Sequence, residues 1–418
     1  MSTAVKPPLL YRALFTLLVP LIAWHSIAQA RQAGNERMAR QKLGKDFPQR
    51  DDQPVWIHMA SVGEVNAAYP LVMELRQRYP DLPIIVSTFT PTGADMAEKK
   101  LGPEIEHVFL PLDFNRAVGN FFQQIKPRCV IIMETEIWPR LFYHCKLNSI
   151  PLLIVNGRLS EKTINKPAWI RNFYEKALQN VDQVLARSNT DANRFTELGT
   201  AADKVQIIDN IKFATPTSDT KPVEPIQLPR PYVVAASTHD DEELQISQAW
   251  LSSELSQSHL LVIVPRHPKR KQAILQQLRP LTAKLAVRSD NEEVTQETQI
   301  YLADTFGELQ QFIAGAELVC MGGSLILRGG QNVIEAARLG KLALFGPHMD
   351  NFADERDLLL EKDAAIEVAN ADELIHKMAE LLAQPDQIKI MGQRAQQAIK
   401  SKQNVAQRYV DAIAAYLS

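Results

Sequence analysis

A carboxylate directly behind a long apolar run is expensive to bury unless it is paired or faces a solvated cleft. Glu64 stands so, behind Val55-Trp56-Ile57-His58-Met59 and the turn Ala60-Ser61-Val62-Gly63. Glu134 and Glu136 stand behind Cys129-Val130-Ile131-Ile132-Met133, the most apolar run of the first half. Glu64 opens a helix, and the helix terminus is expected to keep it ionised, as a general base requires. Its plain structural role is a favourable helix-end charge. Arg158 follows the run Leu152-Leu153-Ile154-Val155, and Lys212 follows Val205-Gln206-Ile207-Ile208. These cations would balance the carboxylates or hold an anionic sugar.

The second half carries a different chemistry. Its most informative stretch runs from Gly322-Gly323-Ser324 through Gly329-Gly330-Gln331-Asn332-Val333-Ile334-Glu335, behind the apolar run Leu318-Val319-Cys320-Met321. Glycine removes the Cβ that blocks backbone approach, and a helix N-terminus offers free N–H groups. The stretch is therefore expected to cradle a phosphate, with a helix starting near Asn332 and Glu335 placed to accept from ribose hydroxyls. It matches neither the Rossmann fingerprint nor a P-loop. Ser237-Thr238-His239, Pro265-Arg266-His267-Pro268, Thr305-Phe306-Gly307-Glu308 and Gly346-Pro347-His348 also follow apolar runs. Arg266 is well placed to pair with a phosphate. Taken singly, Arg266 also reads as a surface ion pair, His267 as a solvated loop residue and Glu308 as a helix-end charge. Convergence on one sheet edge favours a nucleotide site.

The positioning elements follow from the pattern. Short continuous apolar runs alternate with helical stretches, which predicts α/β architecture with parallel sheets covered on both faces. Thr215–Pro231 holds five prolines, Pro216, Pro222, Pro225, Pro229 and Pro231, and interrupts the alternation. Two α/β halves facing across a cleft are expected, with ligands beyond the carboxyl ends of the strands. The expected divisions are an apolar N-terminal segment 1–35, an N-terminal α/β domain 36–215, a linker 216–231, and a C-terminal α/β domain 232–418, whose last helix is free to pack back on the N-terminal domain.

Composition bounds the partners. The chain has 418 residues, 45% hydrophobic and 22% charged, with a net charge of −2, which argues against a nucleic-acid binder working through bulk electrostatics. Cys129, Cys145 and Cys320 show no paired spacing and read as buried free thiols of a reducing compartment. No HExxH, DxD or clustered Cys/His set lies near the loops, so no metal and no cofactor are expected. Ala13–Trp24 is almost wholly apolar but short for a bilayer span, and Arg31, Arg37, Arg40, Lys42, Lys45 and Arg50 follow it. This predicts a helix dipping into, or lying on, the inner face of a membrane. Ala28-Gln29-Ala30 superficially offers a signal-peptide cleavage site, and a core helix is the third reading.

Ser61-Val62-Gly63-Glu64, Glu134-Thr135-Glu136-Ile137-Trp138-Pro139, Ser237-Thr238-His239, Pro265-Arg266-His267-Pro268, Gly307-Glu308-Leu309 and Gly322-Gly323-Ser324, in that order, resemble the bacterial 3-deoxy-D-manno-oct-2-ulosonic acid (Kdo) transferases of the lipid A pathway. The resemblance runs from the N-terminal segment nearly to the end. It implies a glycosyltransferase-B fold of two Rossmann-like domains facing across a cleft, 36–215 binding the acceptor and 232–418 the CMP-sugar, behind a membrane-associating segment 1–35, and metal-independent transfer with inversion. The donor would be CMP-Kdo and the acceptor a tetraacyl lipid A precursor (lipid IVA), at the cytoplasmic face of the bacterial inner membrane. By motif, Glu64 resembles the base on the acceptor hydroxyl, and Glu134 and Lys212 the transition-state stabilisers. Pro265, Arg266, Phe306, Gly307, Glu308, Asn332, Val333, Ile334 and Glu335 resemble the CMP site. Ser61, Gly63, Glu136, Arg158, Ser237, His239, Gly323 and Ser324 are further candidate contacts. Gln331 stands where many relatives have His, Asp241 where Gly is usual, and Ala303 where Gly is common. A sugar-nucleotide epimerase on the same fold and a non-catalytic nucleotide-sugar-binding membrane module are the rival readings.

Overall fold

The apolar runs of the first half become strands β1 (Val55–His58), β2 (Ile84–Thr88), β3 (Glu106–Phe109), β4 (Cys129–Met133), β5 (Leu152–Gly157), β6 (Gln183–Ala186) and β7 (Val205–Ile207). The second half gives β8 (Tyr232–Thr238), β9 (Leu260–Pro265), β10 (Leu285–Val287), β11 (Ile300–Leu302), β12 (Leu318–Met321), β13 (Ala343–Phe345) and β14 (Ala365–Glu367). The computed structural model describes residues 3–32, 34–214 and 223–417. It divides into one unit of Met1–Asp219 with Gln403–Ser418 and a second of Thr220–Lys402.

Each unit holds one seven-stranded parallel sheet, in the orders β3-β2-β1-β4-β5-β6-β7 and β10-β11-β9-β8-β12-β13-β14. Every residue of β1, β2, β4, β5, β8 and β9 is buried, as expected for strands with helices on both faces. Strand order reverses beside β1 in the first unit and beside β8 in the second. A crevice opens at such a point because successive connections leave in opposite directions. The loops after β1 and β4, and after β8 and β12, therefore flank the two crevices.

The backbone is unusual at these strand ends. Glu134, Asn156 and Ser237 each have φ of +55°. None is glycine, and such a conformation costs on the order of 1–3 kcal/mol where the surroundings must hold it. Ladder irregularities accompany two of them, between Val155 and Gly157 and between Ala236 and Thr238.

The structure revises three expectations. Residues 216–222 of the expected linker lie outside the described residues, but 223–231 are no free tether. Ile226 N–H donates to Gln311 O at 3.2 Å, and buried Arg230 donates to Thr298 O at 2.7 Å. The helix expected near Asn332 begins at Ile334 and ends at Arg338, because Gly329 and Gly330 turn the chain with φ of +80° and +77°. The basic residues after the N-terminal helix are only partly available to lipid. Lys42 is 1% exposed with its Nζ 4.2 Å from the Phe89 ring centroid, Arg37 bonds His107 O, and Arg50 pairs with Asp52 and Glu106. Arg31, Arg40 and Lys45 are exposed. The last helix takes the course the expected division left open to it: residues 403–418 cluster with the first unit, where the helix Val405–Ile413 packs on the helix Val62–Arg78.

Candidate active site

In the first unit, β1 delivers the chain into Ala60-Ser61 and the helix Val62–Arg78, which puts Glu64 in that helix's first turn. Ala60 N–H donates to Glu64 Oε2 at 2.8 Å and Ser61 Oγ donates to Oε1 at 3.4 Å. Burial pushes the Glu64 carboxyl up to about 8, against the pull of the Ala60 N–H, and the charges of Glu136 and Glu134 push the same way. The expectation that the helix terminus keeps Glu64 ionised is thus corrected. A helix-end field is worth about 0.3–1 kcal/mol, less than the desolvation of a half-buried carboxylate beside two others. Gly63 is exposed on the same turn.

Glu134 leaves β4 on its left-handed residue, and Asn156 leaves β5 on another. Asn156 Nδ2 donates to Glu134 Oε1 at 3.5 Å, while its Oδ1 accepts from Ile211 N–H at 3.1 Å. This fully buried amide joins the Glu134 loop to the turn Ile211–Phe213, which carries Lys212. Asn210 Oδ1 accepts from Lys212 N–H at 3.1 Å, and Tyr409 Oη donates to Asp209 O at 2.7 Å. Arg158 N–H approaches Glu134 O at 3.5 Å, and the Arg158 side chain makes no ion pair among the described residues. Trp138 Nε1 donates to Glu136 Oε2 at 3.1 Å, and burial raises the Glu136 carboxyl. Glu64, Glu134, Glu136, Arg158 and Lys212 therefore lie along one edge of one sheet.

In the second unit the cations gather. His239, after β8, packs edge-on against His267, after β9, with ring centroids 5.6 Å apart. Burial, His267, Arg328, Arg270 and Arg266 all lower the His239 pKa. Arg266 is exposed, makes no ion pair among the described residues, and projects its charge onto Glu335. Asn332 Nδ2 donates to Glu335 Oε1 at 3.2 Å. Gln331 Nε2 lies 3.0 Å from His239 Nε2, so the residue found in place of His still bonds the ring. Phe306 is 76% exposed on a turn where Gly307 has φ of +89°. Val333 and Ile334 are buried, so only their backbone could meet a nucleotide. Pro265 ends β9 and is buried.

Three expected contacts are spoken for. Glu308 takes Arg288 through both oxygens, at 2.7 and 3.3 Å, and the Thr305 hydroxyl, which holds its carboxyl below the usual range. The phosphate cradle expected at Gly323 and Ser324 is filled by this chain. Their N–H groups donate to the carboxylate of Glu242, at 2.6 Å to Oε2 and 3.0 Å to Oε1. The buried Ser324 hydroxyl donates to Met321 O and accepts from Gly346 N–H. Gly322 is required for another reason: a Cβ there would fall 2.6 Å from Ser237 O and from Thr238 Cα, where the β8 and β12 loops cross. Asp241, where glycine is usual, keeps a glycine-like φ of +77°.

Sequence reasoning missed Asn156, Tyr409, Glu242, Glu243, Arg270 and Arg288. Asp240-Asp241-Glu242-Glu243 reads as an ordinary acidic helix start, yet Glu242 and Glu243 are fully buried. Glu243 takes Thr238 Oγ1 at 3.0 Å and Arg270 Nη1 at 2.9 Å. No group of three or more metal-ligating side chains occurs among the described residues.

Residues 33–215 match the family model described as 3-deoxy-D-manno-octulosonic-acid transferase (kdotransferase). A 3-deoxy-D-manno-octulosonic acid transferase of Haemophilus influenzae is 32% identical over 87% of this chain and 87% of its own length. The one from Bordetella pertussis is 29% identical over 97% of this chain and 99% of its own. Among solved structures, a glycosyltransferase of Rickettsia africae covers 87% of this chain and 98% of its own, with 14% identity and a TM-score of 0.59. A UDP-GlcNAc 2-epimerase of Neisseria meningitidis covers 86% and 99%, with 14% identity and a TM-score of 0.57. At that identity these two structures speak to the fold alone.

Proposed function

The chain belongs to the 3-deoxy-D-manno-octulosonic acid (Kdo) transferases, a family of glycosyltransferases, and from that premise we propose how its residues divide the work. The donor is CMP-Kdo and the acceptor the tetraacyl lipid A precursor of lipopolysaccharide synthesis, met at the cytoplasmic face of the inner membrane. Glu64 is the base. Its carboxylate takes the proton of the acceptor hydroxyl while that oxygen forms its bond to the anomeric carbon of Kdo. The bond from that carbon to the CMP phosphate oxygen breaks on the opposite face, and CMP leaves with the electron pair. One base and one displacement invert the anomeric centre.

The observation that carries this reading is the Glu64 carboxyl, raised to about 8 by burial and by two neighbouring carboxylates. A base is most effective with a pKa near working pH, and this one is far stronger than an ordinary glutamate. Glu134 and Lys212, on loops joined through Asn156, steady the charge that develops on transfer. Arg266, with His239 and His267 nearby, meets the leaving phosphate. Phe306 offers an exposed ring for the base to stack on, and Glu335 accepts from the ribose.

The membrane contact is the helix Leu9–Gln32. Leu9, Leu17, Leu21 and Trp24 are each at least 60% exposed. The helix is nevertheless fastened to the first unit near both ends. Tyr11 Oη donates to buried Asp113 at 2.5 Å, and Ala30 is fully buried in a small core with Met38, Ala94 and Phe109. A helix held at two points nineteen residues apart lies along the protein, so its apolar face enters the bilayer surface without crossing it.

The test is mass spectrometry of lipid after incubation of the purified protein with CMP-Kdo and tetraacyl lipid A precursor, with chelator present. A gain of one or more Kdo units is expected. An unmodified lipid, with CMP-Kdo intact or hydrolysed, would overturn the acceptor assignment.

A further inference from the structure

A buried carboxylate occupies the place where a phosphate was expected. Glu242 is fully buried, and four backbone N–H groups from two loops converge on it. Gly323 N–H at 2.6 Å and His239 N–H at 3.0 Å donate to Oε2; Ser324 N–H at 3.0 Å and Leu325 N–H at 3.1 Å donate to Oε1. Such a nest of successive N–H groups is an anion site built from backbone. Here the anion is internal, so these groups cannot also hold the ligand.

The consequence is mechanical. His239 opens the loop after β8, and Gly323 lies in the loop after β12, the two strands that flank the strand-order reversal. Glu242 Oε2 pins both backbones to one atom. The circuit then closes through one backbone and one side-chain bond: Gly330 N–H donates to Gly323 O at 2.7 Å, and the next residue, Gln331, bonds the His239 ring through its side chain at 3.0 Å. Gly323 sits under that ring, since a Cβ there would come 3.3 Å from both His239 Cδ2 and Gln331 Nε2. The ring packs in turn on His267, the neighbour of Arg266 in sequence.

We propose that Glu242 is a positioning residue of the transferase, whose carboxylate locks the β8 and β12 loops together and thereby holds His239, Gln331 and the cations around them in the arrangement that receives the donor's phosphate. This rests on the functional reading above. Glu242 itself touches no substrate. Its carboxylate is an acceptor at every lone pair used, so the isosteric amide cannot replace it: one end of a glutamine would point N–H groups at N–H groups.

The experiment compares full-length parent, Glu242→Gln and Gly323→Ala by titration calorimetry with CMP, and by steady-state kinetics with CMP-Kdo and lipid acceptor. Glu242→Gln is expected to weaken CMP binding and raise the donor KM tenfold or more, with the acceptor KM within twofold of the parent. A merely structural defect would lower the active fraction, and hence kcat, without that split. Gly323→Ala disturbs the same circuit from the other side and is expected to give the same split. It carries the test if Glu242→Gln does not fold. Parental CMP affinity and donor KM in a folded Glu242→Gln protein overturn the proposal alone. A parent that takes up no CMP overturns the functional reading, and the proposal with it.

Discussion

At the scale of single residues, Glu64 makes two separable predictions. As the base of the free enzyme, it is active only when ionised. With its pKa raised to about 8, kcat/KM for the acceptor should climb about tenfold per pH unit below 8 and level off above it. A profile already flat from pH 6 would remove Glu64 from the role. The same proton affects stability. The folded chain binds it more tightly than the unfolded chain, whose carboxyl titrates near the ordinary 4.5. The stability tied to that proton is fully present below 4.5 and drains away as pH rises to about 8. Glu64→Gln has no such proton to lose. Its unfolding free energy relative to the parent should therefore become larger, the variant gaining in relative stability, from pH 5 to pH 8, at up to about 1.4 kcal/mol per pH unit. Urea titrations at the two pH values measure the gap. The variant should lose transfer but still bind CMP, because the groups assigned to CMP all belong to the other unit. What the sequence hid at this scale was direction. Glu64, Glu134 and Arg266 were legible because each follows a buried strand. Glu242 was not, because its acidic neighbours Asp240 and Asp241 are surface residues and nothing in the string separates a solvated carboxylate from one pointing inward.

At the scale of elements, length decided what could be read. Strands such as Cys129–Met133 and Leu260–Pro265 are continuous apolar runs, and their type and place were clear from sequence. The three-residue edge strands Leu285–Val287 and Ala365–Glu367 were missed, since three residues carry no periodicity and an edge needs less apolar content. The N-terminal helix was legible as apolar but not as fastened. Its anchor is Asp113, whose carboxylate also accepts from Arg140 N–H and Leu141 N–H, both at 2.9 Å, while Arg140 Nη2 donates to Arg12 O at 3.0 Å. Tyr11→Phe leaves Asp113 with two of these three donors and should destabilise the docked helix by about 1–2 kcal/mol. Deleting residues 1–32 should release the protein from vesicles containing anionic phospholipid while hydrogen exchange in β1, β4 and β5 stays protected. Sedimentation with the vesicles reads the first outcome. Undiminished binding after the deletion would move the membrane contact elsewhere.

At the scale of the molecule, the chain order matters as much as the two sheets. The polypeptide builds one unit, passes through the whole of the other, and returns with Gln403–Ser418 to the first. The returning helix Val405–Ile413 is part of a core, with Val405, Tyr409, Val410 and Ile413 fully buried. Each such side chain is worth about 1.5–3 kcal/mol of burial. Four of them together approach the 5–15 kcal/mol that holds an entire domain folded. Tyr409 adds its bond to Asp209 O, and Arg408 an ion pair to Asp209 at 2.7 Å, beside the turn that carries Lys212. Removing residues 403–418 should therefore unfold the first unit, or leave it without a fixed Lys212 loop, although the segment follows every element of the second. The second unit loses no internal partner by the cut. Hydrogen-exchange mass spectrometry of the shortened chain should show protection lost in β1, β4 and β5 and kept in β8, β9 and β12. CMP should still bind, and transfer should vanish. Retained protection throughout, with parental turnover, would show that the returning helix merely rests on the first unit and that its buried face can be spared.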